Sequence, residues 1–376
     1  MFKLLIAGDF CPQNRVQDLI EKEDYHAVFG EVIEYTSKVD YSIVNLEAPV
    51  VESPAKPIEK CGPNLKCTSK AVKALKYAGF DMVTLANNHF FDYGEAGVKD
   101  TLVACEKGGI ATVGGGMNLY EASQTAYINI KGSQVAIINC CEHEFSIATD
   151  NSGGSNPLNP IQQYYAIREA KEKADYVVVI VHGGHEMYQL PSPRMKETYR
   201  FFVDAGADAV INHHQHCYSG YEVYNSKPIF YGLGNFCFDR INKCVPLWNE
   251  GFMVTLTMNE FAIDFELIPY IQGNDETGVR IIEDKDVFSK NISCLNEIIS
   301  DNTKLKIEFK SFMDRTSKGY LLALEPYQNR YMKALYCKGL LPSFLTKDRL
   351  LMLANYLKCE AHIERLINSL KHNYLC

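Results

Sequence analysis

The sequence predicts an α/β protein, a sandwich of mixed sheets flanked by helices over residues 1–280, followed by a helical region over 283–376. Three observations predict it. Short apolar runs rich in β-branched residues recur, and each ends in a polar cluster. Helix-like segments lie between many of these runs. Beyond about residue 283 glycine becomes rare and apolar residues recur at spacings of three and four.

KLLIA precedes Asp9, YSIVN precedes Glu47 and DMVTLA precedes Asn87, while VVVIV precedes His182 and DAVI precedes Asn212. These runs predict strands at 3–7, 41–45, 82–85, 176–181 and 209–211, with others at 111–113, 126–130, 134–139, 229–231 and 252–258. Helices are expected at 16–37, 69–77, 94–107, 160–173 and 192–205. The last opens on Ser192-Pro193, an N-cap followed by proline at the first helical position, and closes on Gly206. Such alternation implies a mainly parallel sheet covered on both faces. From Gly220 the pattern turns hairpin-like, with turns at Asn225-Ser226 and Asn259-Glu260. Residues 287–372 read as helix, broken at Gly339 and Pro342. Their expected role is docking or a homodimer interface rather than a lid, because glycine hinges are missing.

Composition narrows the function. A formal charge of −8 excludes a sequence-independent nucleic-acid binder. No apolar run approaches the ~18–20 residues of a membrane span. The opening MFKLLIAGDF has a single lysine and a short apolar stretch, and reads as a strand rather than a signal peptide. A cytoplasmic location is expected. The 13 cysteines are odd in number, scattered and free of any CxxC pair, so thiols serving as small hydrophobes are expected, not a disulfide framework.

Each polar cluster falls at the carboxyl end of a strand, the edge at which open α/β sheets bind ligands. Alone, Asp9, Glu47 or Asn88 would read as a cap or turn residue. Together with His182, His214 and His216 they describe a site for two divalent transition-metal ions, Mn, Zn or Fe, with Glu47 as the natural bridge. His89 is read outside the ligand set, as a proton donor whose tautomer Asp92 fixes. His185 and Glu186 are candidate substrate-facing residues. The glycine run 114–116 reads as a turn, since no Walker lysine follows it.

GDF, NLEAP, GPNLK, AGFDMVTLANNHFFDYGEAGVKDTL, HGGHE and GADAVINHHQHCYSGYEVYNSKPIFYGLGNFCFD resemble the CapA family of bacterial capsule and poly-γ-glutamate biosynthesis proteins. That family in turn resembles the calcineurin-like metallophosphoesterases. The resemblance covers roughly residues 1–271 and implies a metallophosphoesterase-type sandwich. It matches Asp9 and Glu47 to the first two metal-binding acids, Asn88-His89 to the third motif, and His182, His214 and His216 to the imidazole ligands. Asn64, within GPNLK, joins the substrate-facing candidates. Four positions depart from the pattern. Asp9-Phe10-Cys11 stands where phosphoesterases carry Asp-x-His, making Cys11 a further candidate ligand. Gly183 replaces a tryptophan, Asn212 a glycine and Gln215 a proline. The implied activity is a dimetal phosphoesterase acting on a small-molecule or polymer-linked phosphate. A non-catalytic assembly factor and a two-metal γ-glutamyl amide hydrolase are the alternatives.

Overall fold

The protein is described by a computed structural model covering residues 1–240, 245–260, 262–327 and 329–374. It divides into two compact units, Met1–Lys306 and Ile307–Cys376. The first holds two mixed sheets. One runs in the order Val279–Ile281, Ile263–Gln272, Glu250–Met258, Phe2–Phe10, Tyr41–Leu46, Met82–Thr84 and Ala111–Val113, with Asn235–Cys237 also paired to Phe2–Phe10. Its half from Phe2–Phe10 to Ala111–Val113 is parallel, and its other half is antiparallel. The second sheet runs Tyr221–Tyr224, Lys227–Phe230, Ala209–His213, Tyr176–His182, Ser133–Cys141 and Ala126–Ile130.

Strand Phe2–Phe10 explains the layering. Its side chains alternate, so Leu4 and Ile6 join one apolar cluster and Leu5 and Ala7 another. Leu4 and Ile6 meet Ile137, Val178, Ile180 and Ile211 of the second sheet, which makes that cluster the interior of the sandwich. Leu5 and Ala7 join Val72, Leu75 and Val98 of the helices Ser69–Tyr77 and Gly94–Gly108. A strand covered on both faces needs a continuous apolar run, which is why KLLIA lacks the polar alternation of a half-exposed strand.

Most predicted elements appear where expected. Asn225 and Ser226 take φ values of 49° and 62°, the left-handed pair of a two-residue hairpin turn. The Ser192 hydroxyl accepts from Met195 N–H at 3.1 Å and caps Pro193–Ala205. Two expectations need correction. The helix predicted at 16–37 is three short ones, Asn14–Glu21, Tyr25–Phe29 and Ile33–Thr36, broken where Glu23 takes a φ of 58° and Asp24 starts a new cap. The division expected at 280–283 falls after Lys306. Helix Asp286–Ser300 turns Phe288, Ile292 and Ile299 inward, and Phe288 packs on Tyr218 and Phe252 with ring centroids 5.5 and 5.7 Å apart. That helix completes the sandwich core and so belongs to the first unit.

The second unit is helical, with Arg330–Cys337, Lys347–Lys358 and Glu360–Tyr374 following the end of Asn302–Leu322. Tyr327 is its small centre, against Tyr336 and Phe344. Residues 328, 375 and 376 of the predicted helical region lie outside the described residues.

Candidate metal centre

Five strand ends converge at one edge of the sandwich. The first is set by Gly8. A Cβ there would lie 2.0 Å from Gly234 O, so only glycine lets the two backbones approach. The register of Phe2–Phe10 slips between Ala7 and Asp9 beside it. Asp9 is thereby presented fully buried, with Oδ1 accepting from Asn45 Nδ2 at 2.7 Å and Oδ2 from His214 N–H at 3.1 Å.

Glu47 follows Tyr41–Leu46 and is also fully buried, yet neither carboxylate oxygen has a hydrogen-bond partner. Oε1 lies 3.6 Å from His182 Nε2 and 3.7 Å from His216 Nε2. Burial, then the nearby Asp9 carboxylate, hold its proton well above the usual carboxyl range. The ligating atoms of Glu47, His214 and His216 all lie within 4.8 Å of one another, the group of that kind among the described residues.

The imidazoles arrive by two routes. His182 ends its strand, with Nε2 3.0 Å from Asn88 Oδ1 and 3.1 Å from His214 Nδ1. His214 and His216 follow Ala209–His213 with φ values of 87° and 54°, left-handed conformations that non-glycine residues rarely adopt. This bend turns both rings to the same side. His216 Nδ1 meets Asn235 Oδ1 at 2.9 Å, and its ring lies against Trp248, 4.9 Å between centroids. Burial holds His182, His213 and His216 below the ordinary histidine range, the neighbouring imidazoles adding to it at His182.

His89 sits beside this group. Its Nδ1 is 2.7 Å from Asp92 Oδ2, an oxygen that also accepts from Leu65 N–H at 2.6 Å. The ammonium of Lys60, almost wholly buried, bonds Asp92 Oδ1 and lies 3.2 Å from His89 Nδ1. Lys60, His89, Asn88, Glu144, Glu186 and His216 line a cavity of about 400 Å³. Arg240 stacks its guanidinium over Trp248 at the same cavity, 3.5 Å from the ring centroid.

The structure therefore brings Asp9, Glu47, Asn88, His182, His214 and His216 together, with His89 and Asp92 adjoining them. Cys11 stands apart. It packs in the apolar layer beneath the sheet with Phe10, Val16 and Cys237, and burial followed by the charge of Glu47 pushes its thiol well above the ordinary value. A neutral buried thiol is what that placement yields. Asn64 donates from Nδ2 to Ile58 O at 3.1 Å and ties down the loop whose neighbours Lys60 and Leu65 line the cavity. Glu186 lines it, whereas His185 lies next to Tyr188, ring centroids 6.5 Å apart. Gly183 has a reason too, because a Cβ there would meet Glu142 Cγ at 2.7 Å.

Four further residues belong to the site. Asn45 bonds Asp9 and approaches His182 Nδ1 at 3.3 Å, and Asn235 orients His216. His213 lies 3.6 Å from Asp9 Oδ1 with both ring nitrogens unpartnered, and Lys60 clamps Asp92. Asn45 stood in the NLEAP run, His213 in NHHQH and Asn235 in the GLGNFCFD end of the last quoted run, whereas Lys60 lies in none of the motifs.

The donors fit a divalent cation. A buried carboxylate with neither oxygen hydrogen-bonded costs several kcal/mol unless a cation neutralises it. The set of carboxylate, amide oxygen and imidazole suits Mn²⁺, Zn²⁺ or Fe.

Comparison with known proteins follows the same line. The chain is 36% identical over 245 residues to the capsule biosynthesis protein CapA of Bacillus anthracis, covering 63% of this chain and 60% of that one. It is 35% identical over 237 residues to the PGA biosynthesis protein CapA of Bacillus subtilis, 62% of each chain. The match thus spans about three-fifths of either relative. A solved phosphatase from Mycoplasma pneumoniae is similar at a TM-score of 0.47 and 14% identity, covering 73% of this chain and 95% of that one. A 5′-nucleotidase precursor from Thermus thermophilus is similar at a TM-score of 0.47 and 11% identity, over 78% and 57%. Residues 3–240 match the model of the family described as bacterial capsule synthesis protein PGA_cap, and the chain belongs to that family.

Proposed function

We propose that the protein is a metal-dependent hydrolase cleaving a phosphoester on a small or polymer-linked substrate, within capsule or poly-γ-glutamate metabolism. One observation carries this reading: the fully buried, unpartnered carboxylate of Glu47 beside Asp9, His182, His214 and His216. Asp9, Glu47, Asn88, His182, His214 and His216 would hold a pair of divalent ions, which supplies Lewis acidity and activates water.

The remaining work falls to the chain's own groups. Asp92 holds His89 at Nδ1, so Nε2 is the nitrogen left to hand a proton to a departing oxygen. Lys60 and the Leu65 amide keep Asp92 in place, which stops the imidazole from turning. Burial keeps His182 and His216 neutral, the state in which imidazole ligates. Arg240 in the cavity wall supplies positive charge for an anionic substrate, the Lys60 ammonium being paired with Asp92.

The test is reconstitution of chelator-stripped protein with Mn²⁺ or Zn²⁺, then elemental analysis and assays on p-nitrophenyl phosphate, bis(p-nitrophenyl) phosphate and γ-glutamyl p-nitroanilide. A pair of ions per chain and turnover of a phosphoester are expected. His89→Ala should keep the metal yet lose turnover on the order of 10²–10⁴-fold. Failure to bind metal would sink the reading. Turnover of the γ-glutamyl amide alone would reassign the substrate.

A further inference from the structure

Charge is divided unevenly along the chain. The helical unit, residues 307–376, carries eleven Lys and Arg against six Asp and Glu, a net charge of +5, which leaves −13 for residues 1–306 of a chain at −8. Exposed apolar surface follows the positive charge. Among the described residues, fourteen of the twenty-seven large apolar side chains open to solvent lie in this unit, under a fifth of the chain. No residue of Arg330–Cys337 or Lys347–Lys358 is fully buried. Apolar surface on that scale marks a place where something else docks.

The exposed groups are ordered. Helix Lys347–Lys358 presents Leu350, Leu351 and Leu357, the last two 59% and 58% exposed. At about 3.6 residues per turn these three share an arc of roughly 120° with Lys347 and Lys358, which are exposed as well. The helix is held from its opposite side, where Tyr356 meets His362 of Glu360–Tyr374 with ring centroids 5.5 Å apart. Its leucine face thus turns away from the neighbour that anchors it. Helix Arg330–Cys337 repeats the pattern, with Tyr331 and Leu335 exposed four residues apart and Lys338 three further on.

Charge and apolar surface together select the occupant. A second copy would set +5 against +5. A soluble polyanion would pair the lysines and leave the leucines wet. The surface of an anionic bilayer meets both demands, since leucines enter the acyl boundary while lysine stems reach back to the phosphates. The same surface repels the −13 of residues 1–306. We propose that the helical unit is a peripheral membrane anchor, seating Leu350, Leu351 and Leu357 in an anionic bilayer surface with Lys347 and Lys358 on the headgroups. This role needs neither metal nor hydrolase activity.

Vesicle flotation of the full chain tests it, with phosphatidylcholine alone and with about 30% phosphatidylglycerol added. Binding to the anionic vesicles should be about tenfold tighter or more, and should fall about as much between ~50 and ~500 mM NaCl. Lys347→Gln with Lys358→Gln should weaken it about tenfold to thirtyfold, at about fivefold per lysine. Leu350→Ser with Leu357→Ser should weaken it about tenfold without lowering Tm, because both positions are exposed. Three results overturn the proposal. They are no flotation with anionic vesicles at ~50 mM NaCl, whether or not soluble polyglutamate binds instead; undiminished binding in both double variants; or a dimer in analytical ultracentrifugation that the leucine variant makes monomeric.

Discussion

Replacing Glu47 with glutamine separates a cation site from an ordinary buried acid. In metal-free protein the carboxylate is fully buried with no hydrogen bond to either oxygen, and its proton is held well above the usual range by burial and by Asp9. The sign follows from linkage. A carboxyl raised on folding contributes stability below its unfolded value, and that contribution is lost as pH rises through the folded one. The buried imidazoles of His182, His213 and His216 act oppositely, losing stability as pH falls through the ordinary histidine range. Comparing wild type with Glu47→Gln cancels the histidines. At pH 8 an uncompensated buried charge costs about 3–5 kcal/mol, so the chelated variant should be the more stable protein by that amount. For a folding unit ending at Lys306, at about 2.1 cal/mol/K per residue, this is a Tm rise of roughly 5–8 °C. The gap should close near pH 4.5, where both proteins carry a neutral group at this position. Added Mn²⁺ should close most of the gap. At a hundred times Kd it stabilises wild type by about 2.7 kcal/mol, and the variant, lacking the carboxylate charge, should respond far less. Differential scanning calorimetry across pH, with EDTA and with Mn²⁺, reads all of this. A chelated Glu47→Gln protein less stable than wild type at pH 8 would refute the reasoning.

Lys60→Met should destabilise by about 3–5 kcal/mol, because Asp92 is left buried without its cation. Adding Asp92→Asn should restore most of the loss, as a urea-unfolding double-mutant cycle would measure. Cys11→Ser should leave Mn²⁺ affinity unchanged by calorimetry while costing about 1–3 kcal/mol for a hydroxyl in an apolar layer; a marked loss of affinity would make the thiol a ligand. Truncation after residue 306 should retain metal binding and a cooperative transition. Truncation near 274 should not, because it strips Phe288, Ile292 and Ile299 from the core at about 1.5–3 kcal/mol each; equal Tm values for the two truncations would contradict that role.

Several features could be read from the chain alone because their causes are local. The β-branched runs ahead of Asp9, Glu47 and His182 specify strands through side-chain shape, and the polar clusters that close them mark where each strand ends. Ser192-Pro193 and Asn225-Ser226 encode a cap and a turn in backbone preference, needing nothing from the rest of the molecule. Other features depend on residues far apart in sequence. The bend that turns His214 and His216 together is a strained conformation, held by bonds such as His214 N–H to Asp9 and Asn235 to His216. Lys60 is one charged loop residue among many until folding sets it against Asp92. Cys11 lies two residues after Asp9, where strand alternation alone would put both on one face, but the strand ends at Phe10 and the chain carries the thiol into the apolar cluster with Phe10 and Cys237. Helix Asp286–Ser300 reads like the helices after it, and only the uncovered apolar edge at Tyr218 and Phe252 decides that it joins the sandwich. Local sequence determined the strands, caps and turns because short-range sterics suffice for them; the ligand geometry and the domain boundary needed contacts across the two sheets, which exist only once the core has closed.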